Sequence, residues 1–210
     1  MATEFTYIIA FLITCFQLIC LASAISFQIH DFSPDLTTIV YRGDATASVG
    51  AIEFNRVDYV YRVGQAIYSE PVPIWDSTSG KVTDFTTHFS FIIDISLSIY
   101  GHGLSFFLAP VGFQIPTNSG GGFLGLYNTE TIDSSQDQMV SVEFDSFSNP
   151  EWDPSYEHVG ININSIASAR TMPWNASADA WIVYNSSTKT LSVFWSYRPS
   201  SSNSSLSYQI

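Results

Sequence analysis

Apolar and polar residues alternate with a period of two through much of the chain, and this pattern predicts β-strands. In the longest example, residues 84–93, Phe85, Phe89 and Phe91 share one parity and Thr and Ser lie between them. Gly, Asn, Asp and Pro separate such segments, as turns require. No window has a convincing helical period. The pattern therefore predicts an all-β sandwich, with some connections long enough for a Greek key or jelly roll.

The same alternation predicts several further strands. They span residues 25–30, 39–42, 51–54, 59–62, 103–109, 140–145, 159–164, 180–184 and 190–197.

Metal-type donors cluster in residues 140–158. Glu143 and Asp145 share the polar face of a predicted strand, about 6.6–7 Å apart along it, and repel each other unless a cation lies close by. Asn149, Asp153 and His158 follow in a proline-stiffened loop. Carboxylate, amide and imidazole groups together are typical of a divalent metal site. The alternative is a solvated acidic loop after a strand.

The composition restricts the ligand class. The chain has 210 residues, enough for one domain with a sizeable core, and only 12% of them are charged. Its formal net charge of −12 repels phosphate backbones, which argues against nucleic-acid binding. Such a surface suits cations and neutral polar ligands.

Residues 1–24 resemble a secretory signal peptide, with an apolar run that ends in Ala22-Ser23-Ala24. A retained membrane anchor is the alternative, but the run is short for a full span. Both cysteines, Cys15 and Cys20, lie inside this segment, so the exported chain is expected to have no disulfide. N-glycosylation sequons, which fit export, occur at Asn175, Asn185 and Asn203.

Several motifs together resemble the legume-type (L-type) lectins. The central one is Glu143-Phe-Asp145-Ser-Phe147-Ser-Asn149, continued by Trp152-Asp153-Pro and His158-Val-Gly-Ile. Others lie at residues 64–69, 84–91, 104–110 and 121–127. With Gly101-His102-Gly103, the combination is most similar to the extracellular lectin domain of plant lectin receptor-like kinases. The resemblance implies a concanavalin-like jelly-roll sandwich over residues 25–210.

The resemblance also implies two metal ions. It implies a transition-metal site, typically for Mn²⁺, formed by Glu143, Asp145, Asp153 and His158, with Ser168 orienting a metal-bound water. It implies a Ca²⁺ site formed by Asp145, the carbonyl of Phe147, Asn149 and Asp153.

A carbohydrate site beside the Ca²⁺ is implied in the same way. Asn149 would hydrogen-bond the sugar, Phe147 would stack against it, and the backbone N–H of Gly122 would be a further donor. At the position of the family's sugar-binding Asp this chain has His102, whose neutral ring has one donor and one acceptor and cannot replace a bidentate carboxylate. The family's Asp follows a cis peptide, and the sequence leaves the isomer of the 101–102 bond open.

Family members continue with further strands past the position where this sequence stops. The domain is therefore expected to be incomplete at its C-terminal end, with apolar faces and strand edges left uncovered. Sheet edges of this kind can pair between two chains, so a homodimer through sheet edges is also predicted.

The sequence thus predicts a non-catalytic glycan-binding domain, exported to the apoplast or held at the plasma membrane within a longer receptor. One alternative is a receptor ectodomain fragment that keeps the metal scaffold but binds a non-sugar ligand or partner. Another is a sandwich-fold glycoside hydrolase, which needs two carboxylates about 5–5.5 Å apart for retention. That alternative is disfavoured because no second Glu follows Glu143 and Asp145 on the strand.

Overall fold

The computed structural model describes residues 25–56, 61–94, 101–132, 138–174, 178–197 and 203–209. The chain divides after His30 into two compact units. The described part of the first unit, residues 25–30, contains no strand, so the strand predicted there is wrong. Alternation produces a strand only where a neighbouring strand takes up the backbone hydrogen bonds. The predicted signal peptide, residues 1–24, lies outside the described residues.

The second unit, residues 31–210, is built from antiparallel strands. The described strands are β1 (Ile39–Gly43), β2 (Thr46–Ser48), β3 (Ala51–Glu53), β4 (Gly64–Tyr68), β5 (Phe85–Phe91), β6 (Gly103–Leu108), β7 (Val140–Asp145), β8 (His158–Ile163), β9 (Arg170–Pro173), β10 (Ala178–Asn185), β11 (Thr190–Tyr197) and β12 (Asn203–Gln209). A single 3₁₀ turn, Gly121–Phe123, is the helical element among the described ranges. No helix within those ranges could cross a lipid bilayer.

Two four-stranded sheets form the framework. The site sheet has the order β6-β7-β8-β9, and the second sheet has the order β12-β11-β10-β5. Two short antiparallel pairs, β1 with β4 and β2 with β3, lie outside these two sheets. The prediction of an all-β sandwich is confirmed.

The hydrophobic core lies between the inner faces of the two sheets. Apolar residues of one parity on each strand meet there, which is the reason for the alternation in the sequence. The fully buried members are Val142, Phe144, Val159, Ile161, Trp174, Ala178, Ala180, Ile182, Leu191, Val193 and Trp195, and Phe85, Phe89 and Phe91 of β5 pack against them.

A second apolar cluster covers the opposite face of the site sheet. Leu126, Tyr127, Met139 and Ile166 are buried there, and Phe107 packs against them. Phe107 has the parity opposite to that of core residue Phe106. The polar face of β7 is therefore also shielded from water, although its residues are Ser, Glu and Asp.

Most predicted strands are confirmed to within one or two residues at each end. The described residues of the predicted strand at 59–62, Tyr61 and Arg62, are not in a strand. Four strands were not predicted: β2, β4, β9 and β12. The residues of β4 were noted only as a family motif at 64–69. β2 and β9 are short. The Ser-rich β12 has only two apolar residues that pack against the core, Leu206 and Tyr208.

Candidate metal centre and adjoining loops

The register of β7 against β8 brings the predicted donors together. Asp145 lies opposite His158, and Glu143 lies opposite Gly160. A Cβ atom at position 160 would lie 2.5 Å from Glu143 Oε1 and 2.0 Å from Ser168 Oγ. A glycine is required here because any side chain would occupy the space that the Glu143 carboxylate and the Ser168 hydroxyl fill.

Glu143, Asp153 and His158 form a compact buried group. His158 Nε2 lies 3.1 Å from Glu143 Oε1 and 3.9 Å from Asp153 Oδ1. One ligand atom from each of the three residues lies within 4.8 Å of the others. Glu143 is only 4% exposed and His158 is fully buried. The arrangement presents two carboxylates and an imidazole to a single point.

Ser168 and Asn162 hold the Glu143 carboxylate in position. The Ser168 hydroxyl donates to Glu143 Oε1 at 2.6 Å and lies 3.0 Å from Asn162 Oδ1. The Asn162 amide donates to the carbonyl of Ile166 at 2.7 Å, which closes the loop after β8. Ser168 was predicted as a site residue from the family resemblance, whereas Asn162 and Gly160 were not predicted. The alternation of β8 places both residues on the same face as His158, and that signal could have identified them.

Backbone N–H groups of the loop after β7 orient the carboxylates of Asp145 and Asp153. The N–H of Phe147 donates to Asp145 Oδ1 at 2.6 Å, and that of Asn149 donates to Asp153 Oδ2 at 2.7 Å. The carbonyl of Asn149 in turn accepts from the N–H of Asp153 at 2.9 Å. These bonds fold the loop back over the end of β7, so Asp145 and Asp153 face the same space.

Electrostatics make this cluster favourable for a cation. The pKa of Asp145 is raised to about 8, mainly by burial. The charges of Asp153 and Glu143 contribute to this rise, and the hydrogen bond from the N–H of Phe147 opposes it. Burial likewise raises the pKa of Asp153 to about 6. Burial lowers the pKa of His158, but its hydrogen bond to Glu143 and the nearby carboxylates outweigh this and leave it raised. Closely spaced, buried carboxylates resist ionisation until a positive charge balances them.

Two buried polar atoms at the cluster have no hydrogen-bond partner. They are Asn149 Oδ1 and His158 Nδ1. A buried carbonyl-type oxygen without a donor is costly unless something positive binds it. Asn149 Oδ1 is a hard oxygen donor of the kind Ca²⁺ takes, and Glu143, Asp153 and His158 offer the mixed oxygen and nitrogen donors that Mn²⁺ accepts. The residues fit both ions.

The four residues predicted to contact a sugar converge beside this cluster. The rings of His102 and Phe147 lie 4.6 Å apart between centroids, and Phe147 is 45% exposed. A Cβ atom on Gly122 would lie 2.2 Å from Asn149 Oδ1, so the amide packs directly on the glycine. Burial lowers the pKa of His102, while a polar contact with Asn149 works against that shift. The Gly101–His102 peptide is cis.

The predicted glycosylation sites are placed differently. Asn185 is exposed at the end of β10, where its Oδ1 accepts the N–H of Thr188 at 3.0 Å. Asn203 is the first residue of β12. Asn175 lies outside the described residues. Glycosylation at these positions remains a prediction.

The fold and the cluster together define a jelly-roll sandwich of the lectin type. Residues 24–210 match the family model described as "Legume lectin domain", and the chain belongs to that family. The sequence-based resemblance is therefore confirmed at the level of the family.

Known relatives agree with this assignment. The L-type lectin-domain containing receptor kinase IX.1 of Arabidopsis thaliana is 46% identical over 201 residues, which cover 89% of this chain and 31% of that protein. Lectin 9 of Medicago truncatula is 43% identical over 202 residues, which cover 87% of this chain and 72% of that protein. The solved structure "lectin UEA-II complexed with galactose" superposes with a TM-score of 0.82 at 36% identity, covering 89% of this chain and 83% of that one. The chain thus spans about a third of the length of the receptor kinase.

Proposed function

We propose that this domain is a non-catalytic carbohydrate-binding module whose sugar site is held in shape by Ca²⁺ and Mn²⁺. One observation carries the proposal: His102, Phe147 and Asn149 meet directly beside the buried cluster of Glu143 and Asp153. The galactose complex of a family member supports a sugar as the ligand class.

The chain's own donors divide between the two ions. Glu143, Asp145, Asp153 and His158 would hold Mn²⁺, with Ser168 on a metal-bound water. Asp145, the Phe147 carbonyl, Asn149 and Asp153 would hold Ca²⁺. The cations would supply positive charge that ionises the buried carboxylates and fixes the loop after β7.

The loop so fixed presents a small set of sugar-binding groups. Phe147 offers an exposed ring for the apolar face of a pyranose, while the Asn149 amide and the Gly122 N–H offer hydrogen bonds. His102 offers one further donor or acceptor at the position where a carboxylate would accept two hydroxyl groups. We therefore expect weaker monosaccharide binding than a carboxylate at this position would give.

The burial of Glu143 argues against the glycoside hydrolase alternative. A hydrolase needs both carboxyl groups beside the scissile bond, whereas Glu143 is 4% exposed and already accepts from Ser168. Turnover of a chromogenic glycoside that is lost in Glu143→Gln would overturn the non-catalytic assignment.

The domain is proposed to act outside the cell, either alone or within a longer receptor. The likeness to a receptor kinase, which this chain matches over 31% of that protein's length, supports the extracellular location. It also favours a second candidate, a receptor-type ectodomain that keeps the metals and binds a peptide or protein partner. The substitution of His102 for the sugar-binding carboxylate is the observation behind that candidate.

The deciding experiment combines metal analysis with a glycan-array screen. The sugar-binding proposal expects Ca²⁺ and Mn²⁺ in the purified protein, glycan binding that EDTA abolishes, and recovery when both ions are returned. Asn149→Ala should abolish binding, whereas Asn185→Ala on the distant end of β10 should leave it unchanged. Metal-dependent folding with no glycan bound would reject the sugar site and favour the receptor-type candidate.

A further inference from the structure

The glycine run 120–122 creates space for residues from three other parts of the chain. As noted, the Asn149 amide packs on Gly122. A Cβ atom on Gly121 would lie 3.3 Å from His102 Nε2 and 3.5 Å from Tyr61 Cδ1. The rings of His102 and Tyr61 therefore border the same glycine.

The backbone of Tyr61 lies against the same run. Its carbonyl oxygen would be 2.7 Å from a Cβ atom on Gly120. Tyr61 is thus fixed by close backbone packing, immediately next to the four residues of the proposed sugar site. Tyr61 falls in the predicted strand at 59–62, and the sequence pattern indicates no binding role for it.

Two properties of Tyr61 are not accounted for by packing of its side chain against the described residues. Its side chain is 77% exposed, so the ring contributes little to either hydrophobic cluster. Its φ angle is +57°, a left-handed conformation that is unfavourable for an aromatic residue. An exposed aromatic ring that is held in an unfavourable backbone conformation beside a proposed binding site points to a ligand contact.

We propose that Tyr61 is a second stacking platform, which contacts the sugar unit next to the one held by Phe147 and Asn149. The inference rests on the proposed carbohydrate site and identifies its ligand as a neutral oligosaccharide. His102 lies between the two exposed rings, in contact with Phe147 on one side and bordering the same glycine as Tyr61 on the other.

Two separate aromatic rings on this surface would favour oligosaccharides over monosaccharides. An aromatic ring binds the C–H face of a pyranose without reading its hydroxyl groups, so two separated rings favour two linked units over one. His102 offers fewer hydrogen bonds than a carboxylate, which lowers the contribution of the first unit. The second ring would supply the missing affinity only when a second unit is present.

The test compares the wild-type protein with Tyr61→Gly and Tyr61→Phe, all loaded with Ca²⁺ and Mn²⁺. The probe is an array of neutral mono- and oligosaccharides that includes free galactose. Tyr61→Gly should weaken oligosaccharide binding about three- to tenfold, the range of a single ring contact, and leave monosaccharide binding unchanged. Tyr61→Phe keeps the ring and should bind as the wild type does.

Folding failure is separable from a lost contact. Glycine accepts the positive φ at position 61, so the melting temperature of Tyr61→Gly should be unchanged or higher. If the wild type binds oligosaccharides and Tyr61→Gly binds them equally well, this inference is overturned while the sugar-binding proposal stands. Equal losses for mono- and oligosaccharides would also overturn it. A wild-type protein that binds no sugar would overturn both.

Discussion

At residue scale, the candidate metal cluster depends on the absence of a side chain at position 160. Gly160 leaves the space in which the Glu143 carboxylate meets the Ser168 hydroxyl. A buried carboxylate that is aimed by a hydroxyl and an imidazole keeps one orientation, which a metal ligand needs. Gly160 therefore shapes the cluster although it donates nothing to it.

Gly160→Ala is expected to abolish Mn²⁺ binding and to cost about 1–3 kcal/mol of unfolding free energy, because the new methyl group overlaps Glu143 and Ser168. Metal titration by calorimetry and urea unfolding check the two effects. The matched control is Gly80→Ala, at a position with φ of +68° and open space around it. It should cost about 1–2 kcal/mol through backbone strain alone and leave metal affinity unchanged. Retained affinity in Gly160→Ala would contradict the explanation.

Metal affinity is expected to rise between pH 6 and pH 8. The pKa of Asp145 is about 8 and that of Asp153 about 6, so acidic solution holds protons that a cation must displace. Each displaced proton weakens binding by up to about tenfold per pH unit below its pKa. Competition with a calibrated chelator at pH 6, 7 and 8 measures the trend. An affinity that is constant over this range would contradict the expectation that the ion displaces protons from these two carboxyl groups.

Much of the cluster could be predicted from the sequence because strand parity and loop spacing define it. Glu143 and Asp145 follow from alternation, and the converging oxygen and nitrogen donors indicate a cation. Asn162 was not predicted although the alternation of β8 places it on the same face as His158. Tyr61 could not be assigned a role, because its position depends on contacts with the distant glycine run. The individual ligand roles remain predictions.

At the scale of elements, the longer predicted strands are those with an apolar face packed in the core. In β10 and β11 every second residue faces the core, so the apolar pattern is strong. β9 and β12 are stabilised mainly by pairing with a neighbour, and backbone hydrogen bonds leave little trace in side-chain pattern. The segment 25–30 shows the reverse case, in which alternation occurs without a strand.

The two faces of the strands should respond very differently to truncation. Phe144→Ala in β7 removes a fully buried ring and is expected to cost about 3–5 kcal/mol. Phe194→Ala in β11 removes a ring that is 45% exposed on the outer face and should cost about 1 kcal/mol or less. Urea unfolding of both variants checks the difference. Equal costs would contradict the assigned parity of these strands.

At the scale of the whole molecule, the proposed ions would stabilise the fold as well as the site. Ligands that bind only the folded state add about 2.7 kcal/mol at a hundredfold excess over Kd. For a chain of this size that corresponds to roughly 5–10 °C in melting temperature. Scanning calorimetry with and without EDTA should show this loss, and Mg²⁺ alone should not restore it. A melting temperature insensitive to EDTA would contradict a structural role for the ions.

Assembly remains open to a simple test. The described edges of the second sheet are β5 and β12, and a homodimer through sheet edges stays a prediction. Sedimentation velocity over a range of protein concentrations would reveal it as a shift in mass. A single species with the mass of one chain throughout would contradict it.

β7 contributes Val142 and Phe144 to the hydrophobic core, and Glu143 and Asp145 to the proposed metal site. The alternation of the strand separates these two sets of side chains onto opposite faces. A single inserted or deleted residue would therefore turn carboxylates toward the core and apolar side chains toward the proposed cation site. Length changes in this strand are therefore tolerable only in steps of two. Natural variation and library design can therefore substitute residues of β7 one at a time, but neither can change the register of the strand.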